Sequence, residues 1–414
     1  MSITSYPQKV SFSSTGNTVS IGGTNLDAFG RLRVSQPYTL FDSQNRYAAD
    51  PQFDTSTTTG GAATHLSNES SVSMAVTTTS GSEVVRQTYR VFPYQPGKSL
   101  LLLATFKMDT AKANLRQRVG YFNTGNGVFL EKNGTGVPRF VVRTSTSGSA
   151  SDARYVDQTS WNGDKLDGTG TSGITIDLAT TQILFLDFEW LGVGSVRCGF
   201  VINGQFIVCH TFHNANAQTA VYMTTAILPV RYEITNTGTT ASSSAMKQIC
   251  SSVMSEGGYD SVSAEQVVRR TAILSTISTT FLPILSVRLN SSRLGAVILP
   301  NRVSVLPTTN QNYEIVLVKN ATLTGTSYVT GSFNNVDYDV TATAMTGGTI
   351  VQSDYITSSA QGRATLTAPT GYNFDLQIGV SLASVSDVYT IGIRTVSGAT
   401  SGDAFGSLSF YDLT

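Results

Sequence analysis

Cysteine, histidine and tryptophan are scarce in this chain, with 3, 3 and 2 residues among 414. Too few thiols and imidazoles are present, at the wrong spacing, for a zinc finger or ribbon, so we expect no metal site. Lys and Arg together number 27, equal to Asp and Glu, so the excess of positive charge that neutralises nucleic-acid phosphates is missing. No apolar run approaches the roughly 20 residues of a membrane-spanning helix. We therefore expect neither nucleic-acid binding nor membrane insertion.

Signals for secretion, catalysis and cofactor binding are also missing. The first residues, "MSITSYPQKVSFSS", contain no apolar signal-peptide core, so we expect the chain to be made and folded in a cytoplasm. No GxSxG elbow precedes a helix, and the Gly-rich stretches carry no Lys of a phosphate loop. The sequence thus predicts no catalytic residues, no cofactor and no enzymatic activity.

Glycine, serine and threonine are abundant instead, and they separate short β-branched and aromatic runs. Such runs with turn residues between them predict an all-β chain, because Gly, Ser and Thr are weak helix formers. Because 414 residues exceed one ordinary core, we expect two antiparallel β-sandwich domains. The meanders between about Arg86 and Asn236 resemble the jelly-roll domains of the concanavalin and laminin-G type.

The expected domain organisation has four parts. Residues 1–26 read as an extended N-terminal arm, residues 27–260 as the first sandwich and residues 281–414 as the second. Between them, residues 261–280 form a linker or a short helix. Ser263 and Gln266 stand at the spacing of a capping box, which favours the helix, whereas the β-branched pair Val267 and Val268 leaves a strand open.

The cysteines Cys198 and Cys209 flank an Asn203-Gly204 dipeptide, a strong hairpin signal. An uninterrupted two-residue hairpin places them directly opposite each other as a hydrogen-bonded pair, whose backbones are spaced too widely to favour a disulfide. We therefore predict two reduced, packed thiols. A zinc site with His210 and His213 is the alternative, and its spacing matches no known zinc pattern.

Two acidic residues, Asp187 and Glu189, alternate in "FLDFEW". Neighbours at this spacing on a strand project from one face and could serve as the two carboxyl groups of a glycosidase. The same alternation is expected for the solvent face of a half-buried strand with Leu186, Phe188 and Trp190 inward. We favour the second interpretation.

Three aromatic residues, Tyr155, Trp161 and Tyr222, lie in or near polar loops. Exposed aromatic rings can stack on sugars, and they also occur at ordinary protein interfaces. They are candidate glycan contacts.

Several motifs resemble a family of structural proteins of tailed bacteriophages, best represented among aquatic phages, including those of cyanobacteria. The motifs are "DAFGRLRVSQPYTLFDSQNRY" (27–47), "LDFEWLGVGSVRCGFVINGQFIVCHTFHNAN" (186–216), and "LPVRYEITNTG" with "MKQICSSVMSEGGY" (228–259). The resemblance implies a virion component that assembles with copies of itself and with other virion proteins. Its position could be the tail, a fibre, an adaptor, or the capsid as a decoration or head fibre. A carbohydrate-binding adhesin that grips a host-surface glycan is a further alternative.

The first of these motifs is a candidate assembly element. Phe29 and Phe41 can act as apolar anchors, and Arg31 with Arg33 can form forked hydrogen bonds to a neighbouring subunit. The alternative is a first strand within the same domain, which would use the same residues.

Overall fold

The computed structural model describes residues 36–260, 263–332, 334–357, 374–396 and 401–414, and the backbone of three further short strands. The chain divides into two compact units, Met1–Tyr259 and Asp260–Thr414. The described helices are three short 3-10 turns, Ser67–Glu69, Gln158–Ser160 and Phe374–Leu376. Within the described ranges, no helix has the length and apolar character to cross a membrane. The predicted all-β class is confirmed.

The first unit contains seventeen described strands, and β1 and β2 form a two-stranded antiparallel sheet. In chain order the strands are β1 (Lys9–Ser11), β2 (Thr18–Ser20), β3 (Tyr38–Gln44), β4 (Phe53–Thr58), β5 (Ala62–Leu66), β6 (Ser71–Val76), β7 (Glu83–Thr88), β8 (Ser99–Lys107), β9 (Leu115–Phe122), β10 (Gly127–Lys132), β11 (Pro138–Thr144), β12 (Ser151–Asp157), β13 (Gln182–Phe188), β14 (Val196–Ile202), β15 (Gln205–Phe212), β16 (Val230–Asn236) and β17 (Ser244–Glu256).

Two antiparallel sheets of this unit pack face to face. A seven-stranded sheet has the order β12-β11-β10-β9-β16-β7-β4, and an eight-stranded sheet has the order β15-β14-β13-β8-β17-β6-β5, with β3 also paired to β17. Large rings meet between the sheets: Tyr121 lies 5.0 Å from Phe188, and Phe140 lies 6.3 Å from Phe200, between ring centroids. Burial of these alternate side chains is what stabilises the sandwich.

The second unit is also built of antiparallel sheets. Its strands are β18 (Glu265–Ile277), β19 (Leu282–Leu289), β20 (Ile298–Pro307), β21 (Asn312–Lys319), β22 (Thr322–Thr324), β23 (Val329–Thr330), β24 (Val336–Asp339), β25 (Ala344–Thr346), β26 (Thr349–Thr357), β27 (Ala364–Thr367), β28 (Val388–Thr395) and β29 (Gly402–Asp412). A four-stranded sheet, β18-β29-β20-β27, and a six-stranded sheet, β23-β24-β19-β28-β21-β26, share one apolar core. Strands β22 and β25 form a separate pair.

The segment for which a short helix was expected is a strand. Residues 265–277 form β18, which pairs antiparallel with β29 at the edge of the four-stranded sheet. Val268, Leu274 and Ile277 are buried in the core of this unit. The β-branched residues of this stretch pack against the sheet, and that tertiary contact outweighs the local capping signal.

The Asn203-Gly204 hairpin forms as predicted, but the predicted pairing of the two cysteines is wrong. Both turn residues have positive φ, 53° and 74°, and Ile202 pairs with Gln205. A bulge then shifts the register, so that Cys198 pairs with His210 and Cys209 is the extra residue. The loop residues Gly163 and Asp164 hydrogen-bond to backbone carbonyls of this bulged strand. A count that assumed an unbroken ladder could not include such contacts.

Candidate functional site

The outer face of the seven-stranded sheet carries a row of alternating charges. Neighbouring strands carry these charges at paired positions. Glu233 of β16 pairs with Arg118 of β9, Arg118 also pairs with Glu131 of β10, and Glu131 pairs with Arg139 of β11. Their alternation with inward apolar residues places all four on the same face. Because β16 pairs with β9, a carboxylate 115 residues away in sequence joins the meander formed by β9 to β11.

Arg118 is the centre of an ion-pair network on this face. Its Nε lies 2.6 Å from Glu131, its Nη2 lies 2.9 Å from Asp152, and its Nη1 lies 3.4 Å from Glu233. Each carboxylate has at least one further cation, and these are Arg139 at 2.8 Å for Glu131, Arg143 at 2.7 Å for Asp152, and Arg231 at 2.9 Å for Glu233. Two or more guanidinium groups therefore neutralise every acid of the network.

A small apolar cluster lies beneath these charges. Phe122, Phe129 and Val141 are buried together, and the two phenyl rings are 4.4 Å apart. The guanidinium carbons of Arg118 and Arg143 lie 5.0 and 5.2 Å from the centre of the Phe129 ring. The arginines thus cover aromatic surface with their planar groups while their N–H donors face the carboxylates.

An open cavity of about 620 Å³ lies at one end of this face. We call it the arginine groove and define it by its main polar and aromatic lining residues, which are Arg116, Arg118, Glu131, Arg139, Asp152 and Tyr155. Tyr155 is 49% exposed, and the guanidinium carbon of Arg139 lies 4.6 Å from the centre of its ring. The groove therefore combines an accessible aromatic ring with hydrogen-bonding groups, which is the composition of a polar ligand site.

The arginines hold nearby carboxyl groups in their charged form. Burial alone would raise the pKa of Glu233, but Arg231, Arg118 and Arg116 more than offset it, and the net pKa lies below the ordinary value. Burial also opposes ionisation of Asp152, but hydrogen bonding by Arg143 and the charges of Arg143 and Arg118 lower its pKa. A protonated carboxyl group at neutral pH is therefore not available from these two residues.

Two of the groove arginines have donors that the protein does not use. Arg116 contacts Glu233 only through Nη2, at 3.3 Å, and its buried Nε has no hydrogen-bond partner among the described residues. Arg139 contacts Glu131 through Nε at 2.8 Å, and its side chain is 18% exposed. Arg116 and Arg139 both line the groove with side chains that are 30% and 18% exposed, so part of each guanidinium group can meet a ligand there.

The three aromatic residues predicted to contact a glycan have different positions. Tyr155 is exposed and lines the groove. Trp161 is 2% exposed, donates to the carbonyl of Val156 and packs 4.8 Å from Phe140. Tyr222 is 3% exposed and donates to the carbonyl of Glu189. Trp161 and Tyr222 are core residues, because the long loops that carry them fold back onto the sandwich.

Asp187 and Glu189 are not exposed to solvent, contrary to the prediction, and they do not line the groove. Asp187 lies on the outer face of the eight-stranded sheet, where it is buried, forms an ion pair with Arg197 and accepts a hydrogen bond from Ser99. Glu189 is also buried and lies beyond the last residue of β13. Trp190 follows it, half-buried rather than fully in the core, and donates to the carbonyl of Met223.

The candidate assembly residues are only partly described. Phe29, Arg31 and Arg33 lie outside the described residues, as does most of the predicted arm. Phe41 belongs to β3, which pairs with β17, and is 2% exposed with its ring 5.0 Å from Phe92. Phe41 therefore anchors the chain in its own sandwich, and its side chain is not available to another subunit.

Cys198, Cys209 and His210 are buried side chains of the first unit. Cys198 and Cys209 are free and buried, and burial raises the pKa of both thiols. Burial, with the charges of His213 and Arg154, lowers the pKa of His210 to about 4, so this imidazole is neutral at pH 7. Among the described residues, no group of three or more His, Cys, Asp or Glu side chains could hold a metal ion.

Sequence reasoning did not identify the arginine groove, although part of its signal was present. In "RQRVGYFN", "GVFLEKNG" and "RFVVRT", charged residues alternate with apolar ones on three successive strands. Opposite signs on neighbouring strands of a meander predict cross-strand ion pairs. Asp152 and Glu233 join the network because β12 pairs with β11 and β16 pairs with β9, and the three strands alone do not predict these pairings.

No protein-family model matches the chain, and no curated protein matches it in sequence. Solved structures with some likeness include the carbohydrate recognition domain of Emp47p (10% identity, 55% of this chain and 99% of that one, TM-score 0.33). Others are a legume lectin-like domain from Entamoeba histolytica (13%, 51% and 95%, TM-score 0.32) and a β-1,3-glucanase from Mycobacterium marinum (11%, 52% and 98%, TM-score 0.36). Likenesses of this size assign no function to this chain.

Proposed function

We propose that this protein is a non-enzymatic structural component of a tailed-phage virion and that its first unit binds a host-surface glycan in the arginine groove. The observation that carries the binding part is the accessible Tyr155 ring in an open cavity of about 620 Å³ lined by hydrogen-bonding side chains. An aromatic face for the apolar side of a sugar, with polar groups around it for the hydroxyls, is what saccharide recognition requires.

The charge state of the groove favours binding over hydrolysis. A glycosidase needs one carboxyl group with a raised pKa as general acid, and a second carboxylate as base or nucleophile. In the groove, two guanidinium groups contact Glu131, and the net pKa of Asp152 is lowered. The pair Asp187 and Glu189 offers no better site, because Arg197 is ion-paired to Asp187.

The virion part of the proposal rests on the sequence motifs of residues 27–47, 186–216 and 228–259. Tail, fibre, adaptor and capsid decoration are all compatible with a two-unit β-sandwich chain. Immunogold labelling of purified particles of the encoding phage should place the protein on the particle surface. Particles without the protein would contradict the virion role and leave glycan binding untouched.

A glycan array with the full chain tests the binding role directly. Tyr155→Ala should weaken binding about two- to tenfold, the range expected for one aromatic contact. Tyr355→Ala is the matched control, since Tyr355 is also exposed but belongs to the second unit. Binding that is lost equally in both variants, or absent from the wild type, would contradict the groove as the site.

Mass spectrometry of bound oligosaccharides after prolonged incubation tests the non-enzymatic part. We expect the saccharides to be recovered intact. Cleavage that disappears in Glu131→Gln would show that the groove is an active site.

A further inference from the structure

The polar groups that line the groove are unequal in sign. Three guanidinium groups, those of Arg116, Arg118 and Arg139, stand against the two carboxylates of Glu131 and Asp152. Asp157 pairs with Arg139 in register but is not part of the lining. Both lining carboxylates are already held by two guanidinium groups each. An excess cation therefore faces the space that a ligand would occupy, although the whole chain carries no net charge.

The donors that remain are suited to an anion. Arg118 uses its donors on three carboxylates of the protein. Arg116 and Arg139 each contact one carboxylate through a single nitrogen, and their side chains are 30% and 18% exposed in the groove. A guanidinium group with free, parallel N–H donors binds carboxylate or sulfate groups better than it binds neutral hydroxyls.

Of Arg116 and Arg139, Arg116 is the less constrained. Its ion-pair partner among the described residues is Glu233, which Arg231 contacts more closely, through Nε at 3.1 Å and Nη2 at 2.9 Å. The side chain of Arg116 is 30% exposed, against 6% for Arg118. It can therefore turn toward a ligand without leaving a buried carboxylate unpaired.

From these observations we infer that the groove selects an acidic saccharide, whose carboxylate or sulfate groups accept hydrogen bonds from Arg116 and Arg139 while Tyr155 contacts the sugar ring. This inference rests on the proposed glycan-binding function and specifies its ligand class. Glu131 and Asp152 do not oppose it, because each is neutralised within the protein and can still accept hydrogen bonds from sugar hydroxyls.

Calorimetric titration of the full chain with matched saccharides tests the inference. The probes are hexagalacturonate and its carboxyl-reduced product, sialyllactose and lactose, and lactose sulfate. At least one acidic probe should bind tenfold or more tightly than its neutral partner, in line with hydrogen bonds to charged groups. The pair that shows the preference distinguishes a uronate, a sialic acid type of carboxylate and a sulfate.

Two variants locate the effect. Arg116→Gln and Arg139→Gln should each reduce the ratio of acidic-probe affinity to neutral-probe affinity about tenfold. Arg293→Gln, at an exposed turn of the second unit, is the matched control and should change nothing. Circular dichroism should show that each variant is folded.

The possible failures are distinguishable. Neutral and acidic probes that bind equally would overturn the acidic selection and leave the glycan site standing. Poly-glutamate that binds as tightly as the acidic saccharide would show a general anion site and also overturn the inference. If none of the probes binds and the glycan array is also empty, the proposed function fails together with the inference.

Discussion

The two outer faces of the first unit differ sharply although both sheets bury the same kind of inner face. On the seven-stranded sheet, five arginines and three carboxylates form a network over the apolar cluster of Phe122, Phe129 and Val141. On the eight-stranded sheet, the outer face near the hairpin carries Phe185 and Phe206, with ring centroids 5.1 Å apart, and one buried ion pair, Asp187 with Arg197.

Both faces nevertheless share one packing device. Phe129 stands opposite Gly120 on β9, and Phe185 stands opposite Gly199 on β14. A Cβ atom on Gly120 would lie 2.6 Å from the Cα atom of Phe129, and one on Gly199 would lie 2.6 Å from the Phe185 ring. In each sheet a glycine lets an aromatic residue of the next strand lie close to the backbone. The two faces therefore differ in the charged residues that cover these glycine–aromatic pairs. We expect the ligand-binding function on the face with the arginine network.

The largest expected effect concerns the centre of the charged network. Arg118→Met removes the guanidinium group of a side chain that is only 6% exposed and contacts three carboxylates. The variant should lose about 3–5 kcal/mol of unfolding free energy, because the buried acids lose a counter-charge. Urea unfolding followed by intrinsic fluorescence measures the loss.

Lys247→Met is the control on the opposite face. Lys247 of β17 forms an ion pair with Glu69, whose side chain is 49% exposed. Surface pairs of this kind contribute little, so its loss should be far smaller than that of Arg118→Met. Equal losses in the two variants would mean that the outer network is not a buried unit.

The glycines under the aromatic rings come next. Gly120→Ala and Gly199→Ala should each cost about 1–3 kcal/mol, because the added Cβ atoms meet backbone atoms that cannot move away freely. Gly204→Ala, at the hairpin turn, adds a Cβ into open space and strains only the backbone, which should cost about 1 kcal/mol. Thermal unfolding of the three variants would rank them, and a harmless Gly120→Ala would refute the shared device.

Local sequence signals predicted the elements of the fold well and their pairing poorly. The β-branched runs predicted strands, and Asn203-Gly204 predicted the hairpin with its two positive φ angles. The bulge at Cys209 and the strand β18 depended on contacts with a loop and with β29, far away in sequence. Capping-box spacing at Ser263 and Gln266 is a local preference, and a sheet edge overrode it.

The candidate site shows the same limit. The sequence of the meander shows alternating charges at Arg116, Arg118, Glu131 and Arg139. It does not show that β16 pairs with β9, which is the pairing that adds Glu233. Conversely, Trp161 and Tyr222 were predicted to contact a glycan because they lie in or near polar loops, but the fold buries both rings. Polarity of a loop sequence describes its average, whereas burial is decided by where each ring packs.

Lowering the pH should reduce the unfolding free energy of the protein, in part because Asp152 of the charged network becomes protonated. Asp152 has a lowered pKa in the folded protein, so the stability it contributes is present above its unfolded pKa of about 3.9 and is lost as the pH falls through the folded value. Urea unfolding at pH 7 and below pH 4 should therefore show a steeper loss for the wild type than for Asp152→Asn. Glu265→Gln, which removes an exposed carboxylate of the second unit, should keep the steep wild-type slope; a slope unchanged in Asp152→Asn would contradict the assignment.

Alanine substitutions of one exposed aromatic residue on each face should change stability least, but they should differ in their effect on saccharide binding. Tyr155 and Phe206 are exposed aromatic residues, 49% and 37%, on the outer faces of the seven- and eight-stranded sheets. Replacing either by alanine should cost about 1 kcal/mol or less, since much of each ring is already in water. Saccharide binding should fall only in Tyr155→Ala, because the Phe206 ring packs on Phe185 and has no arginine donors of the groove beside it. Calorimetry with the acidic probe that the wild type prefers, run on both variants, measures this difference. If Phe206→Ala weakens binding as much as Tyr155→Ala does, aromatic exposure alone accounts for the affinity, and the charged face has no special part in recognition.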